Sequence, residues 1–238
     1  MTLTVDIHAA GLTNVGLVRR RNEDALYVGT HLVAVVDGLG GHVGGDIAST
    51  TVIEAIRDYD QPTPPGQLIT IAVNAVNASN RALRARIDTS PDLEGMGTTL
   101  VALLWSGSKA AVVNIGDSRI YCRRDGQIVL ITDDHVYGRL VSGSARVPRL
   151  AERLTRFLNG RPEGVSADVV LRDLHPGDRY LLCSDGLSSY VPEADIEAAM
   201  GSVDDLGVLV ERMVGLALDR GGRDNVTVVV VDVEGRVS

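Results

Sequence analysis

Apolar residues recur along this chain with two different periods, and the changes between them mark the elements. Residues 1–18 alternate loosely, which predicts a first strand broken at Gly11 and Gly16. Residues 25–36 read as a hairpin around Gly29-Thr30. From Asp46 to Asp58 the apolar positions Ile47, Val52, Ile53 and Ile56 keep helical spacing. Pro62, Pro64 and Pro65 interrupt, and a second helix is predicted from Gln67 to Ile87. Its stripe is Leu68, Ile71, Ala72, Ala75, Val76 and Leu83.

Gly95-Met96-Gly97 then opens a run of strands at Thr98–Trp105, Ala110–Ile115, Arg119–Arg123 and Gln127–Ile131, with Asp125-Gly126 as a hairpin turn. Residues 132–165 are polar, carry two prolines and read as a mobile flap. Strands resume at Val169–Leu171 and Tyr180–Cys183. Ser202 with Asp205 resembles a capping box for a helix bearing Leu206, Leu209, Val210, Met213 and Leu216, which ends near Gly221-Gly222. Val226–Val233 is almost continuously apolar, as a central strand would be. No repeat or linker divides the chain, so a single domain over 1–238 is expected.

One junction stands apart. The run Leu32-Val-Ala-Val-Val ends at Asp37, and five glycines follow within residues 38–45. A turn needs one or two such residues, whereas a run of them lets backbone approach a ligand closely. The carboxylate at the mouth of this loop points to a cation.

Composition narrows the picture. Hydrophobic residues make up 45% of the chain, but only one Trp, one Phe and six Tyr are present, so the core is aliphatic and favours strands. The excess of 31 acidic over 23 basic side chains gives a net charge of −8. Nucleic acid and anionic membrane are therefore not expected partners. Cys122 and Cys183 lie within apolar runs and read as core residues of a reducing compartment. No stretch is apolar enough to span a membrane and no basic-then-apolar leader opens the chain, so a cytoplasmic location is expected.

Four aspartates share one context. Asp37, Asp117, Asp185 and Asp224 each sit beside the end of an apolar strand. If those strands belong to facing sheets, their ends bring the carboxylates to one rim, where only a cation lets them all ionise. An oxygen-only donor set selects Mg2+ or Mn2+, and no cysteine pair or His-x-x-x-His spacing argues for zinc. Two ions sharing Asp37 would activate a water and hold a phosphoryl oxygen, with an arginine from Arg19-Arg20-Arg21 as clamp.

Other phosphate chemistries fail on inspection. A dinucleotide fingerprint beginning at Gly38 needs glycine where Val43 stands, and the single lysine, Lys109, follows no glycine. A thiolate phosphatase needs an arginine six residues after its cysteine, where Cys122 meets Ile128 and Cys183 meets Ser189.

The ordered motifs Arg19-x-x-Asn22-Glu23-Asp24, Asp37-Gly-x-Gly-Gly-His42, Gly97-Thr-Thr, Gly116-Asp-Ser-Arg119, Ser184-Asp-Gly186 and Asp224-Asn-Val-Thr227 resemble the metal-dependent protein phosphatases of type 2C, bacterial serine/threonine branch. The resemblance runs from about Thr13 to Val233. It implies an α+β fold, a four-layer αββα sandwich of two antiparallel β-sheets flanked by helices. It also implies that Asp37 bridges two ions, that Gly38 offers its carbonyl to one, and that Asp185 and Asp224 complete the other. Glu23 would act through bound water, Asp117 would hold a possible third ion, and Arg19 would clamp the phosphate.

The chain departs from the family in two places. Leu39 stands where the eukaryotic branch has a histidine proposed as general acid, which leaves His42 as the candidate catalytic histidine. Thr132-Asp-Asp-His135 opens the flap as the family does, but Val136 replaces the usual serine. The implied partners are phosphorylated proteins of a bacterial serine/threonine kinase system, acted on by a monomer. A regulatory module without turnover and a phosphatase for a small phosphorylated metabolite stay open beside this reading.

Overall fold

The computed structural model describes residues 4–39, 44–140, 153–161, 165–202 and 205–236. The first sheet contains β1 (Thr4–Asn14), β7 (Arg119–Arg124), β8 (Gln127–Leu130), β10 (Arg179–Cys183) and β11 (Val226–Arg236). Its order is β1-β11-β10-β7-β8, antiparallel throughout. The second sheet contains β2 (Asp24–Val28), β3 (Leu32–Leu39), β5 (Leu100–Ser106), β6 (Lys109–Ile115) and β9 (Asp168–Asp173), paired antiparallel in the order β2-β3-β5-β6-β9. A two-residue strand, β4 (Gly97–Thr98), adds to β3.

The helices are α1 (Gly45–Arg57), α2 (Leu68–Thr89), the short α3 (Tyr137–Leu140) and α4 (Asp185–Ser188), α5 (Glu193–Ser202) and α6 (Leu206–Asp219).

Period-two alternation explains the layering. On β3, Val33 and Val35 face the other sheet; with Val101, Leu103 and Val112 of their own sheet they form a layer against Ile120, Leu182 and Val229 of the opposing one. Leu32, Ala34 and Val36 point the opposite way, against Val52 and Ile56 of α1 and Leu68, Val76 and Leu83 of α2. The first sheet does the same with α6, packing Leu181, Val228 and Val230 on Leu209, Val210 and Met213. Both faces of each sheet are thus covered, which is why the central strands read as unbroken apolar runs. The result is the four-layer αββα sandwich. Among the described residues no helix is long and apolar enough to cross a membrane.

Several boundaries differ from expectation. β1 runs unbroken through Gly11, because a Cβ there would lie only 3.0–3.2 Å from Val229, Val28 and Leu26. That glycine serves close packing, not a break. The strand expected over Thr98–Trp105 is interrupted at Thr99, separating β4 from β5. Ser202 is no cap, since it ends α5; Asp205 alone caps α6 by accepting the Val208 N–H at 2.9 Å. The α5 helix and the α4 turn were not foreseen. Cys122 and Cys183 are buried and free, as the sequence suggests.

The flanks of the 132–165 segment are fastened. The Tyr137 N–H donates to the Arg153 carbonyl, the Thr155 N–H to the His135 carbonyl, and Leu158 pairs with Thr98 in both directions. Residues 141–152 and 162–164, the heart of the expected flap, lie outside the described residues.

Candidate metal centre

At one end of the sandwich the inward-facing alternation turns from apolar to polar on four strands together. After Val33 and Val35 the next inward position of β3 is Asp37. Inward from Leu26 on β2 stands Asp24, paired directly with Asp37 in the strand register. On the opposing sheet the inward series Tyr180, Leu182 continues to Ser184, and that of β11 reaches Thr227. The Ser184 hydroxyl donates to Asp24 Oδ2 at 2.8 Å and accepts the Thr227 N–H at 3.0 Å, tying the sheets across the gap.

Asp37 is fixed through its backbone. Its carbonyl accepts from Thr98 Oγ1 at 2.7 Å and from the Thr99 N–H at 2.9 Å, while its own N–H donates to Thr99 Oγ1 at 3.1 Å. Thr99 Oγ1 in turn meets Ser118 Oγ at 2.8 Å, which joins the Asp37 strand end to the loop carrying Asp117. The interruption at Thr99 therefore has a use.

Two glycines permit approaches that a side chain would forbid. A Cβ on Gly186 would lie 1.8 Å from the Asn225 carbonyl oxygen, and one on Gly38 would lie 2.3 Å from that of Gly45 and 2.5 Å from that of Glu23. The Asp-Gly pairs at 37 and 185 are thus crossing points of backbone rather than simple turns.

Asn225 gathers the remaining segments. Its Oδ1 accepts the Glu23 N–H at 2.9 Å, and its Nδ2 donates to the carbonyls of Val15 at 3.0 Å and Arg21 at 2.9 Å. Arg19 Nη2 donates to Asp224 Oδ2 at 2.7 Å.

Crowding shows in the protonation of these groups. Burial pushes Asp37 well above the ordinary carboxylate range, and the charges of Asp24, Asp185, Asp117 and Asp224 add to it. Asp117 is pushed up to about 7, by burial first and then by Asp185. Asp24 also rises to about 7, with burial outweighing the Thr227 and Ser184 hydroxyls. Asp185 is raised by burial and by Asp224, with Asp37 within hydrogen-bonding reach.

Among the described residues no three such side chains form a finished ligand cage. They form instead a convergent set of carboxylates, backbone carbonyls and hydroxyls with no nitrogen or sulfur donor. That chemistry fits hard divalent cations, whose charge replaces the protons the cluster otherwise needs.

Asp37, Gly38, Glu23, Asp117, Asp185, Asp224 and Arg19 are accordingly gathered at one end of the sandwich. His42 lies outside the described residues. Sequence reading missed Asp24, Thr98, Thr99, Ser118, Ser184 and Asn225, although each belongs to a motif it had noted. Strand parity alone would have placed Asp24 beside Asp37.

His135, noted in the sequence only as the end of the motif that opens the flap, has a part that motif does not reveal. This buried ring accepts the Gly116 N–H on Nδ1 at 3.2 Å and meets Asp168 Oδ2 through Nε2 at 3.1 Å, bracing the loop of Asp117.

Comparison with known proteins bears on the family and the fold. Residues 19–213 match the family described as Protein phosphatase 2C. The chain is 41% identical over 238 residues to serine/threonine protein phosphatase PstP of Mycobacterium tuberculosis, covering 97% of this chain and 46% of that protein. It is thus similar to a relative about twice its length. It is 31% identical to serine/threonine phosphatase stp of Listeria innocua, covering 95% of this chain and 96% of that one. Among solved structures, the catalytic domain of PstP in complex with two manganese ions superposes with a TM-score of 0.88 at 41% identity, covering 97% of this chain and all of that one.

Proposed function

The chain belongs to the protein phosphatase 2C family, and we propose that it is a metal-dependent serine/threonine protein phosphatase that hydrolyses phosphoserine and phosphothreonine monoesters. The observation that carries this reading is the convergence of the strand ends bearing Asp37, Asp117, Asp185 and Asp224, joined by Thr99 to Ser118, by Ser184 to Asp24 and by the close crossing of Gly186 and Asn225. Four half-buried carboxylates are costly to gather and serve no packing purpose.

In this reading Asp37, the Gly38 carbonyl, Asp185 and Asp224 are the groups that would hold two Mn2+ or Mg2+ ions. Glu23 acts through water, and Asp117 holds a third ion if one binds. Bound divalent ions supply Lewis acidity toward the phosphoryl group and a hydroxide nucleophile at neutral pH.

The chain's own residues do the rest. Arg19, anchored to Asp224, presents its guanidinium to the phosphoryl oxygens. Thr98 and Thr99 hold the Asp37 backbone, and His135 braces the Asp117 loop. His42 stays the candidate catalytic histidine of this proposal, beside water as the alternative proton source for the leaving alkoxide.

Phosphorylated targets of a bacterial serine/threonine kinase are the proposed substrates, and a cytoplasmic monomer the proposed form. Aryl phosphate hydrolysis by chelated protein, with and without added Mn2+, is the first test. Activity that returns with the ion supports the enzyme; a protein inert at saturating Mn2+ is a binding module instead. Turnover of a phosphothreonine peptide against a panel of small phosphorylated metabolites then separates the two enzyme readings.

A further inference from the structure

We infer that the loop of residues 15–21, together with Arg223, is a docking rim for the segment flanking the phosphorylated residue of a protein substrate, and that it selects acidic segments bearing an aliphatic side chain. The inference rests on the phosphatase reading above and goes on to name the substrate class.

The loop is built rather than loose. Its two ends are clamped by one side chain, since Asn225 Nδ2 donates to both the Val15 and the Arg21 carbonyls. Its middle is pinned where the Leu17 N–H donates to the Gly222 carbonyl at 2.7 Å, and Gly16 donates its N–H to Asn14 Oδ1 at 2.8 Å. A loop fixed at four points displays its side chains at little entropic cost on binding.

What it displays is unusual for this chain. Leu17 is 68% exposed and Val18 64%, more than any other large hydrophobic side chain among the described residues. Adjacent apolar side chains held in water on a fixed backbone mark an interaction site more than scattered exposure does. Beside them Arg20 and Arg21 are exposed, and so is Arg223 on the neighbouring loop. None of these three has a carboxylate partner among the described residues, whereas Arg19, within the same run, is paired with Asp224.

Position and charge choose the occupant. The rim adjoins the metal centre on both strands of chain that form it, since Arg19 and Glu23 belong to one and Asp224 follows Arg223 on the other. A phosphoresidue placed at Arg19 must extend its neighbouring residues over this surface. Elsewhere a protein of net charge −8 repels an acidic partner. Three guanidinium groups without a carboxylate partner among the described residues offer the place where such a segment is drawn in, and Leu17 and Val18 add an apolar contact that fixes its register.

The test is binding, measured by fluorescence anisotropy in Mn2+ with phosphothreonine peptides carrying a non-hydrolysable phosphonate. One peptide has Asp, Glu and Leu around the phosphoresidue; its match has Gln and Ser. The acidic peptide should bind roughly tenfold tighter at low salt, and the gap should shrink as salt rises, as expected for a few solvent-exposed ion pairs. The Arg20→Ala, Arg21→Ala, Arg223→Ala triple variant should abolish the preference, and Leu17→Ser with Val18→Ser should weaken the Leu-bearing peptide.

Equal affinities in the unaltered protein, or a preference that survives the triple variant, would overturn the rim. So would a dimer in sedimentation that Leu17→Ser with Val18→Ser dissolves, because the apolar pair would then be spent on a second copy. A protein that docks the acidic peptide yet leaves aryl phosphate intact in Mn2+ counts against the phosphatase reading alone.

Discussion

Asp24 and Asp37 stand directly opposite one another across the β2–β3 pair, the first buried and the second half-buried, and each is raised well above the usual carboxylate range. Like charges at facing positions of a sheet are destabilising. The pair persists because Ser184 from the opposing sheet steadies Asp24 and because Asp37 is held through its backbone by Thr98 and Thr99.

A pH dependence follows from this pair. A carboxyl whose folded pKa is raised stabilises the protein below its unfolded value near 4, and that contribution is lost as pH rises through the folded value, about 7 for Asp24. Chelated protein should therefore lose thermal stability between about pH 4 and 7. Saturating Mn2+ should cancel the loss, raising Tm more at pH 7.5 than at pH 5. Calorimetry that finds chelated protein gaining stability across this range would contradict it.

Asp37→Asn should lower Mn2+-dependent aryl phosphate turnover by at least about a hundredfold, since it weakens both proposed ion sites. The same change removes a buried charge that its neighbours oppose, so Tm of the chelated variant should be equal to or above that of the unaltered protein. Wild-type turnover in this variant would defeat the two-ion assignment.

Arg19→Ala should chiefly raise KM. Loss of a charged hydrogen bond is worth roughly 1.5–3 kcal/mol, or about ten- to a hundredfold. Steady-state kinetics with a phosphothreonine peptide checks this, and a fall in kcat at constant KM would give Arg19 a different role.

Protonating His135 removes the acceptor that Gly116 uses. Burial lowers the pKa of this ring despite the nearby Asp168, so its contribution is present above about 6.5 and lost as pH falls through the folded value. The protection factor of the Gly116 amide, taken against its intrinsic exchange rate at each pH, should fall below pH 6. Unchanged protection there would mean that the backbone bonds alone fasten the loop.

Thiol chemistry offers a control on the core. Burial pushes Cys183 up to about 12 and raises Cys122 as well. Neither should react with a thiol reagent in the native protein, and both should do so in guanidinium. Rapid labelling of the native state would indicate local opening of β7 or β10.

Leu103→Ala should cost about 2–5 kcal/mol by urea denaturation, because Leu103 is fully buried between the sheets and the site has no means to collapse. A cost under ~1 kcal/mol would show that the inter-sheet layer repacks freely.

What the sequence disclosed was the one-dimensional part. Asp37, Asp185 and Asp224 announce themselves by ending or starting apolar runs beside glycine or asparagine, and the two long helices by their stripes. What it concealed depends on pairing. Nothing local in Asp24 or Ser184, 160 residues apart, says that they meet. Gly11 looks like a break until Val28 and Val229 are known to press on it. The α5 helix went unseen because its buried residues, Ile196, Ala199 and Met200, are few and small-faced against α6.

The place of β11 has a consequence for synthesis. It fills the slot between β1, made first, and β10, made shortly before it, so one sheet stays split until residues 226–236 leave the ribosome. Asp224 and Asn225 arrive with it. A nascent chain therefore carries an acidic half-site that nothing has yet closed, and the proposed phosphate-removing activity would have to wait until translation of the whole sandwich is done.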